Sequence, residues 1–175
     1  MPKIRIQQRP FLTSPELFQG LSPLLAQILA RRGVQSELEL ELKLKHLLAP
    51  QMKGLEQAIQ IVDEAIDTHQ KIVIVGDYDA DGATSTALMV LALREMGADV
   101  EYLVPDRFKY GYGLTPAIAD LAFVTYTPDL LITVDNGISS HEGVEQAQAH
   151  GMQVIITDHH LTTKATPKAE AVVNP

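Results

Sequence analysis

The sequence predicts an α/β fold, a parallel sheet with helices between its strands, behind a helical lead-in. Three observations carry this. Short apolar runs recur at Lys71–Val75, Asp99–Val104, Leu130–Val134 and Gln153–Thr157, and segments with helical caps and stops separate them. The first run is almost continuously apolar, as in a sheet covered on both faces. Three of the runs also end on acidic clusters: Asp77, Asp79 and Asp81 in GDYDADGATS, then Asp135, then Asp158 with His159 and His160. The carboxyl ends of parallel strands share one edge, which is where ligands bind in such sheets.

The elements follow in order. Residues 1 to about 70 read as helical and form the expected first region, with 71–175 as the second. Ser22-Pro23, then Leu24, Leu25, Ile28 and Leu29, then Gly33, is a helix with its N-cap, first-turn proline and glycine stop. Over 36–49, Leu38, Leu40, Leu42 and Leu44 alternate as in a strand. Ser36 with Glu39 as a capping box, and the pairs Glu39/Lys43 and Glu41/Lys45, favour a helix there. Leu55, Ile59, Val62 and Ile66, with Ala58 and Ala65, make the apolar stripe of a third helix.

From 71 onward the expected pattern is βαβαβαβ. A helix over Thr84–Met96 stops at Gly97, and a loop rich in Pro, Gly and Tyr covers Pro105–Gly113. Thr115-Pro116 opens a helix ending near Ala122. Another runs from about Ser140 to His150, capped by Ser139 with Glu142 and stopped by Gly151. Ala171–Val173 has the composition to begin one more strand.

Composition sets the limits. With 175 residues, 46% hydrophobic and 21% charged, the chain has the profile of an ordinary globular protein. It has no cysteine, which excludes disulfides, thiolate zinc sites and a cysteine nucleophile. No apolar run approaches the about 18 residues of a membrane span, and Met-Pro-Lys-Ile-Arg-Ile lacks the apolar core of a signal peptide. A cytoplasmic protein with no membrane partner is expected. The net charge of −8 argues against a surface that grips nucleic acid unaided, since that affinity comes from Lys and Arg on phosphates.

Asp77, Asp79 and Asp81 occupy alternate positions, which on extended backbone points three carboxylates to one face. A single Asp there would be an ordinary helix cap; three repel one another unless a divalent cation offsets the charge. Gly82 suits a close approach by backbone or ligand. Asp135-Asn136-Gly137 is by itself a turn signal, yet its place after a buried strand makes Asp135 a candidate ligand able to bridge two ions. Asp158-His159-His160 adds imidazole, which suits Mn²⁺, Fe²⁺ and Zn²⁺ better than Mg²⁺. His46, His69, His141 and His150 lie on or at the ends of helices and read as solvated.

DYDADG followed by TS, then PDRFKYGYGL, LLITVDNG, IITDHH and AEAVVNP, in this order, resembles the DHH phosphoesterase superfamily, in its single-strand-specific DNA exonuclease branch. The likeness covers essentially the whole chain. It implies a Rossmann-like DHH domain with two divalent cations, Mn²⁺ preferred and Mg²⁺ possible. It also implies metal-assisted hydrolysis of single-stranded DNA from the 5′ end to mononucleotides, in repair and recombination. By the same resemblance Asp77, Asp79, Asp81, Asp135 and His159 would hold metal. His160 would face the scissile phosphate, and Asp158 would orient the histidines. Apart from the resemblance, Arg107 in the loop after the second strand is a candidate phosphate contact, since its fork suits bidentate contacts, and Asn136 is a further candidate substrate contact. Members of the family run further, through a fourth aspartate ligand, a second substrate-binding domain and an oligonucleotide-binding barrel, so further domains of a parent chain are expected partners. The chain alone is accordingly expected to be a weak nuclease.

Three other readings remain open on the sequence. One is a DHH enzyme for very short oligonucleotides or cyclic dinucleotides. Another is a haloacid-dehalogenase-type phosphatase with Asp79 of DADGAT as covalent nucleophile, which leaves both histidines unused. The last is a catalytically silent scaffold, expected to have lost its ligands.

Overall fold

The computed structural model describes residues 7–41, 43, 52–163 and 165–175. Two compact units divide the chain, residues 1–50 and 51–175.

In the first unit, α1 (Pro23–Arg32) is capped by the Ser22 hydroxyl on the Leu25 amide and ends at Gly33 in the left-handed region. It buries Ala26 and Ala30 against Phe18, with Leu21, Leu29, Val34 and Leu40 around them. The helix expected over 36–49 is corrected where it is described. Glu37–Leu40 makes one 3-10 turn, and Glu41 returns to extended backbone. Leucines two apart point to opposite sides of a helix and give it no apolar face to bury. The capping box does not close either. Ser36 makes no side-chain cap, and the Glu39 carboxylate accepts from the Gln35 amide at 3.0 Å. Lys43 pairs with Glu41 at 3.0 Å rather than with Glu39. The remainder of that expected helix, residue 42 and residues 44–49, lies outside the described residues.

The second unit opens with α2 (Leu55–Asp67). Its Ala58 and Ala65 pack in the same core as Ala171 and Val173, so this helix belongs with the sheet rather than with the lead-in. Five strands follow: β1 (Lys71–Gly76), β2 (Asp99–Leu103), β3 (Leu130–Val134), β4 (Gln153–Thr157) and β5 (Ala171–Val173). All pairings are parallel, in the order β2-β1-β3-β4-β5. The α/β fold read from the sequence is the one observed, including the final strand. Helix α3 (Ala80–Glu95) joins β1 to β2 and lies with α2 on the face of Ile72, Ile74, Leu130, Ile132 and Ile155. Helices α5 (Pro116–Tyr126) and α6 (His141–Ala149) cover the opposite face, over Val73, Val75, Leu131, Val154 and Ile156. Between β2 and α5 sits a single helical turn, α4 (Arg107–Tyr110).

Several boundaries moved for identifiable reasons. Helix α3 starts at Ala80 and not at Thr84, because Asp79 caps it and Gly82 is tolerated inside its first turn. Helix α5 runs on through Phe123 to Tyr126, stopping where Thr127 turns left-handed just ahead of Pro128. Ser140, not Ser139, precedes α6 and uses no side-chain bond to cap it. Among the described residues no helix is long and apolar enough to cross a membrane.

Register fixes what the edge presents. Gly76 pairs with Val134, and Val134 with Thr157. The next residue on each strand is Asp77, Asp135 or Asp158. Three carboxylates therefore leave the sheet in one row, on strands about 4.8 Å apart. The chain runs from β1 to β2 on one side and returns to β3 on the other, so the row begins at the topological switch point.

Candidate active site

At the end of β1, Asp77 is 8% exposed. Its Oδ1 accepts from the Tyr78 amide at 2.8 Å, and Arg107 NH2 reaches both its oxygens at 2.7 Å. The Arg107 guanidinium lies 3.9 Å over the Tyr78 ring and 5.2 Å from that of Tyr112. Asp79 Oδ1 accepts from the amides of Asp81 and Gly82 at 3.1 and 3.0 Å, capping α3. The Gly82 amide is the main cause that holds the Asp79 carboxyl below its usual range. Gly82 is obligatory here: a Cβ would overlap the Asp77 carbonyl and lie 2.7 Å from its Cα.

After β3, Asp135 adopts φ 61°, unusual for a residue with a side chain. Its amide donates to the Thr157 carbonyl at 3.1 Å, tying the ends of β3 and β4 together. Burial pushes the Asp135 carboxyl up, and the Asp79 charge beside it adds to the shift. Asn136 is 1% exposed, and its amide nitrogen donates to the carbonyls of Val75 and Val134 at 3.0 and 2.9 Å. It stitches β1 to β3 from inside the sheet rather than presenting itself at the surface expected of a substrate contact.

After β4, Asp158 Oδ2 accepts from the Ile138 amide at 2.9 Å. Its Oδ1 takes the His159 amide at 2.7 Å, the His160 amide at 3.1 Å and His160 Nδ1 at 2.7 Å. Burial alone would raise this carboxyl, but those donors outweigh it and leave it below its usual range. His159 Nε2 lies 2.9 Å from Asp135 Oδ1. The hydrogen bond to Asp158 raises the His160 ring above 6.5.

Two sets of ligand atoms come within 4.8 Å of one another: Asp77, Asp79 and Asp135, and Asp135, His159 and His160. Asp135 belongs to both. Asp81, expected among the metal carboxylates, falls outside both sets, because extended backbone ends at Asp79 and Asp81 already sits in the first turn of α3. It does line a cleft of about 570 Å³ that Asp135, Asp158 and His159 also line. The Arg107–Asp77 pair was not legible in the sequence, since the two are 30 residues apart and the apolar pattern says nothing of where a loop arginine lands. Tyr78 and Tyr112 beside it were likewise unassigned. The donor set, carboxylates and imidazoles with Asp135 common to both groups, fits a pair of divalent cations of the Mn²⁺ or Mg²⁺ type.

Residues 71–175 match the family model described as "DHH family, N-terminal domain". The chain belongs to the DHH family. Its DHH domain includes every strand of the sheet and all the residues of the candidate site. The chain is similar to the single-stranded-DNA-specific exonuclease RecJ of Escherichia coli, 47% identical over 175 residues, 99% of this chain and 30% of that protein. It is also similar to RecJ of Haemophilus influenzae, 52% identical over 155 residues, 87% of this chain and 27% of that protein. The crystal structure of Thermus thermophilus RecJ in complex with Mn²⁺ superposes with a TM-score of 0.66 at 32% identity, covering 98% of this chain and 24% of that one. Another, of exonuclease RecJ bound to manganese, gives 0.67 at 38% identity, covering 74% of this chain and 33% of that one. The DHH chain spans about 30% of the length of the curated relatives it matches.

The His160–Asp158 pair gives a pH prediction for the DHH chain without metal. A histidine whose folded pKa is raised contributes stability below its unfolded value of about 6.5 and loses it as pH rises through the folded value. The ring signals of His160 are expected to titrate above 6.5 by NMR, and Asp158→Asn should bring them back to it. No shift in that variant would mean the Asp158 contact does not set the ring's charge.

Proposed function

We propose that the whole protein hydrolyses phosphodiester bonds of single-stranded DNA from the 5′ end, releasing mononucleotides, as a cytoplasmic enzyme of DNA repair and recombination. One observation carries the reading: Asp77, Asp135 and Asp158 leave three register-paired strands in one row, and Asp135 is shared by the carboxylate and histidine groups. The family membership and the RecJ relatives support it.

Asp77, Asp79, Asp81, Asp135 and His159 would hold two divalent cations, Mn²⁺ preferred and Mg²⁺ possible. Such ions, when bound, offset phosphate charge and lower the pKa of a water. The chain's own residues do the rest. Asp158 fixes the His160 ring and favours its protonated form, so that His160 can donate to a phosphoryl oxygen as charge develops there; a donor of this kind contributes about 10²–10³ in rate. Arg107 pairs with Asp77, and it would also meet the terminal 5′-phosphate of an incoming strand. With a net charge of −8 on this chain, the basic surface that grips DNA would come from other domains of the whole protein.

The geometry weakens the phosphatase alternative. Asp79 Oδ1 is engaged by two amides as a helix cap, a poor arrangement for a covalent nucleophile. The test uses the whole protein with Mn²⁺ on 5′-labelled single strands, the matching duplex and dinucleotides. Mononucleotide release from the single strand's 5′ end is expected, with the duplex spared. Preference for dinucleotides would move the substrate to short oligonucleotides, and no metal-dependent cleavage would end the nuclease reading. In the same assay Arg107→Ala should weaken binding by about tenfold, the worth of a charge-assisted contact, and more for 5′-phosphorylated than for 5′-hydroxyl ends. Equal losses would leave Arg107 a role on Asp77 only.

A further inference from the structure

Asp77 and Arg107 meet through a single nitrogen. Arg107 NH2 lies 2.7 Å from both Asp77 oxygens, where a guanidinium fork usually offers a carboxylate two nitrogens. The cost shows at Nε, which is buried and has no acceptor among the described residues. The rest of the hold is soft. The guanidinium carbon lies 3.9 Å from the Tyr78 ring centroid and 5.2 Å from that of Tyr112, both within the about 6 Å of a cation–π contact. Such contacts have no donor–acceptor direction, so the charge can slide across them and keep them. Arg107 stands on α4, a single turn with no buried residue, capped by Asp106 on the Phe108 amide and closed by Gly111 at φ 83°. Elements with few buried contacts open at little cost. Asp77 is the fixed partner. It follows a strand paired on both sides, and Gly82 of α3 packs against its carbonyl.

We propose that Arg107 and a divalent cation exchange on Asp77. The exchange rests on the cation pair of the reading above and adds the order in which the site fills. Asp77, Asp79 and Asp135 bring ligand atoms within 4.8 Å of one another, so a cation held by all three needs an Asp77 oxygen. Arg107 NH2 already engages both, and the Tyr78 amide takes Oδ1 as well. A carboxylate only 8% exposed leaves little room for a second positive group beside the first, and the two would repel. Arg107 is the one that can leave. Its orphaned Nε gains nothing by staying, and Tyr78 and Tyr112 keep its charge against the site. Once displaced, its whole fork, Nε included, is free for a phosphate, which meets two nitrogens with two oxygens. Loading of the carboxylates then precedes capture of the strand, because one arginine cannot hold Asp77 and a phosphate in this geometry. Before loading, the guanidinium serves the acidic row as a built-in counter-ion.

Two measurements on the whole protein, both without DNA, test the exchange. In the first, calorimetric titration with Mn²⁺ compares Arg107→Ala with Lys109→Ala, each of which removes one positive charge from the same turn. Arg107→Ala should tighten Mn²⁺ by about tenfold, the worth of a charge-assisted bond that no longer has to break. Lys109→Ala should change it little. Equal gains from the two, or no gain from Arg107→Ala, overturn the proposal. In the second, phenylglyoxal labels accessible guanidinium groups, and mass spectrometry of the digested protein reads Arg107. Labelling should be slow in chelator and about tenfold faster with Mn²⁺. In Asp77→Asn it should be fast in chelator too. An Arg107 labelled at one rate in both conditions also overturns the exchange. If Arg107 is released by Mn²⁺ but single strands are not cut, the exonuclease reading fails and the exchange stands. If strands are cut while Arg107 stays on Asp77, the reverse holds. No uptake of Mn²⁺ with or without Arg107 ends both.

Discussion

Asp135→Asn is expected to abolish cation binding in the whole protein and to lower phosphodiester hydrolysis by at least about 10³-fold, the several kcal/mol that bound metal supplies. The same change should make the metal-free chain more stable. Asp135 belongs to both groups of ligand atoms, so its loss strikes both at once. Its carboxyl is also pushed up by burial and by Asp79. A carboxyl whose folded pKa is raised destabilises the fold when ionised. Its contribution is most favourable below the unfolded value of 3.8 and is lost as pH rises through the folded value. Above the folded value the full penalty applies, and a neutral amide removes it. Asparagine moreover tolerates the left-handed backbone at φ 61° better than most residues. Calorimetric titration with Mn²⁺ and thermal melts in chelator are the measurements. Retained affinity would show that Asp135 is not the common ligand. A lower melting temperature would show that its bond to His159 outweighs the burial.

Gly82→Ala carries the second large effect. Alanine is ordinarily the better helix residue by about 1 kcal/mol, yet here its methyl would overlap the carbonyl of Asp77, which is backbone and cannot rotate away. Overpacking of this kind costs about 1–3 kcal/mol. Either α3 or the end of β1 must move, and Asp77 and Asp79 sit at that junction. Denaturant melts should show the loss of stability, and the variant's Mn²⁺ affinity should fall with it. An unchanged midpoint with unchanged affinity would mean that α3 is free to swing on its first turn.

The strands were legible because each is a short apolar run whose end is marked by an aspartate, and the shared edge followed from parallel pairing. Register turned a shared edge into a row, and no residue pattern encodes register between residues 58 or 23 apart, such as Ile72 with Leu130 or Leu130 with Gln153. That Asp81 stands outside the two close sets of ligand atoms was not legible, because a run of alternating aspartates gives no sign of which one caps the helix. Asp79 does so with Gly82 three residues on, where a Glu or Gln would have announced the start. The leucine alternation at 38–44 was outweighed by charge pairing worth only tenths of a kcal/mol per pair. Asn136 read as a turn residue and proved to be a buried tie between strands, an identity that depends on the neighbouring carbonyls of Val75 and Val134.

The all-parallel sheet has a kinetic consequence. Antiparallel neighbours can meet through a two-residue hairpin, but parallel ones need a crossover of a dozen or more residues. Each strand pairing here closes a long loop before it gains a contact, which places the domain among topologies that fold slowly for their size. Asp77, Asp135 and Asp158 become neighbours only when β1, β3 and β4 have all found one another. The site is accordingly a late event, born with the finished sheet and absent from any partly folded chain. Refolding followed through His159 and His160 should coincide with the final, cooperative phase seen by the backbone.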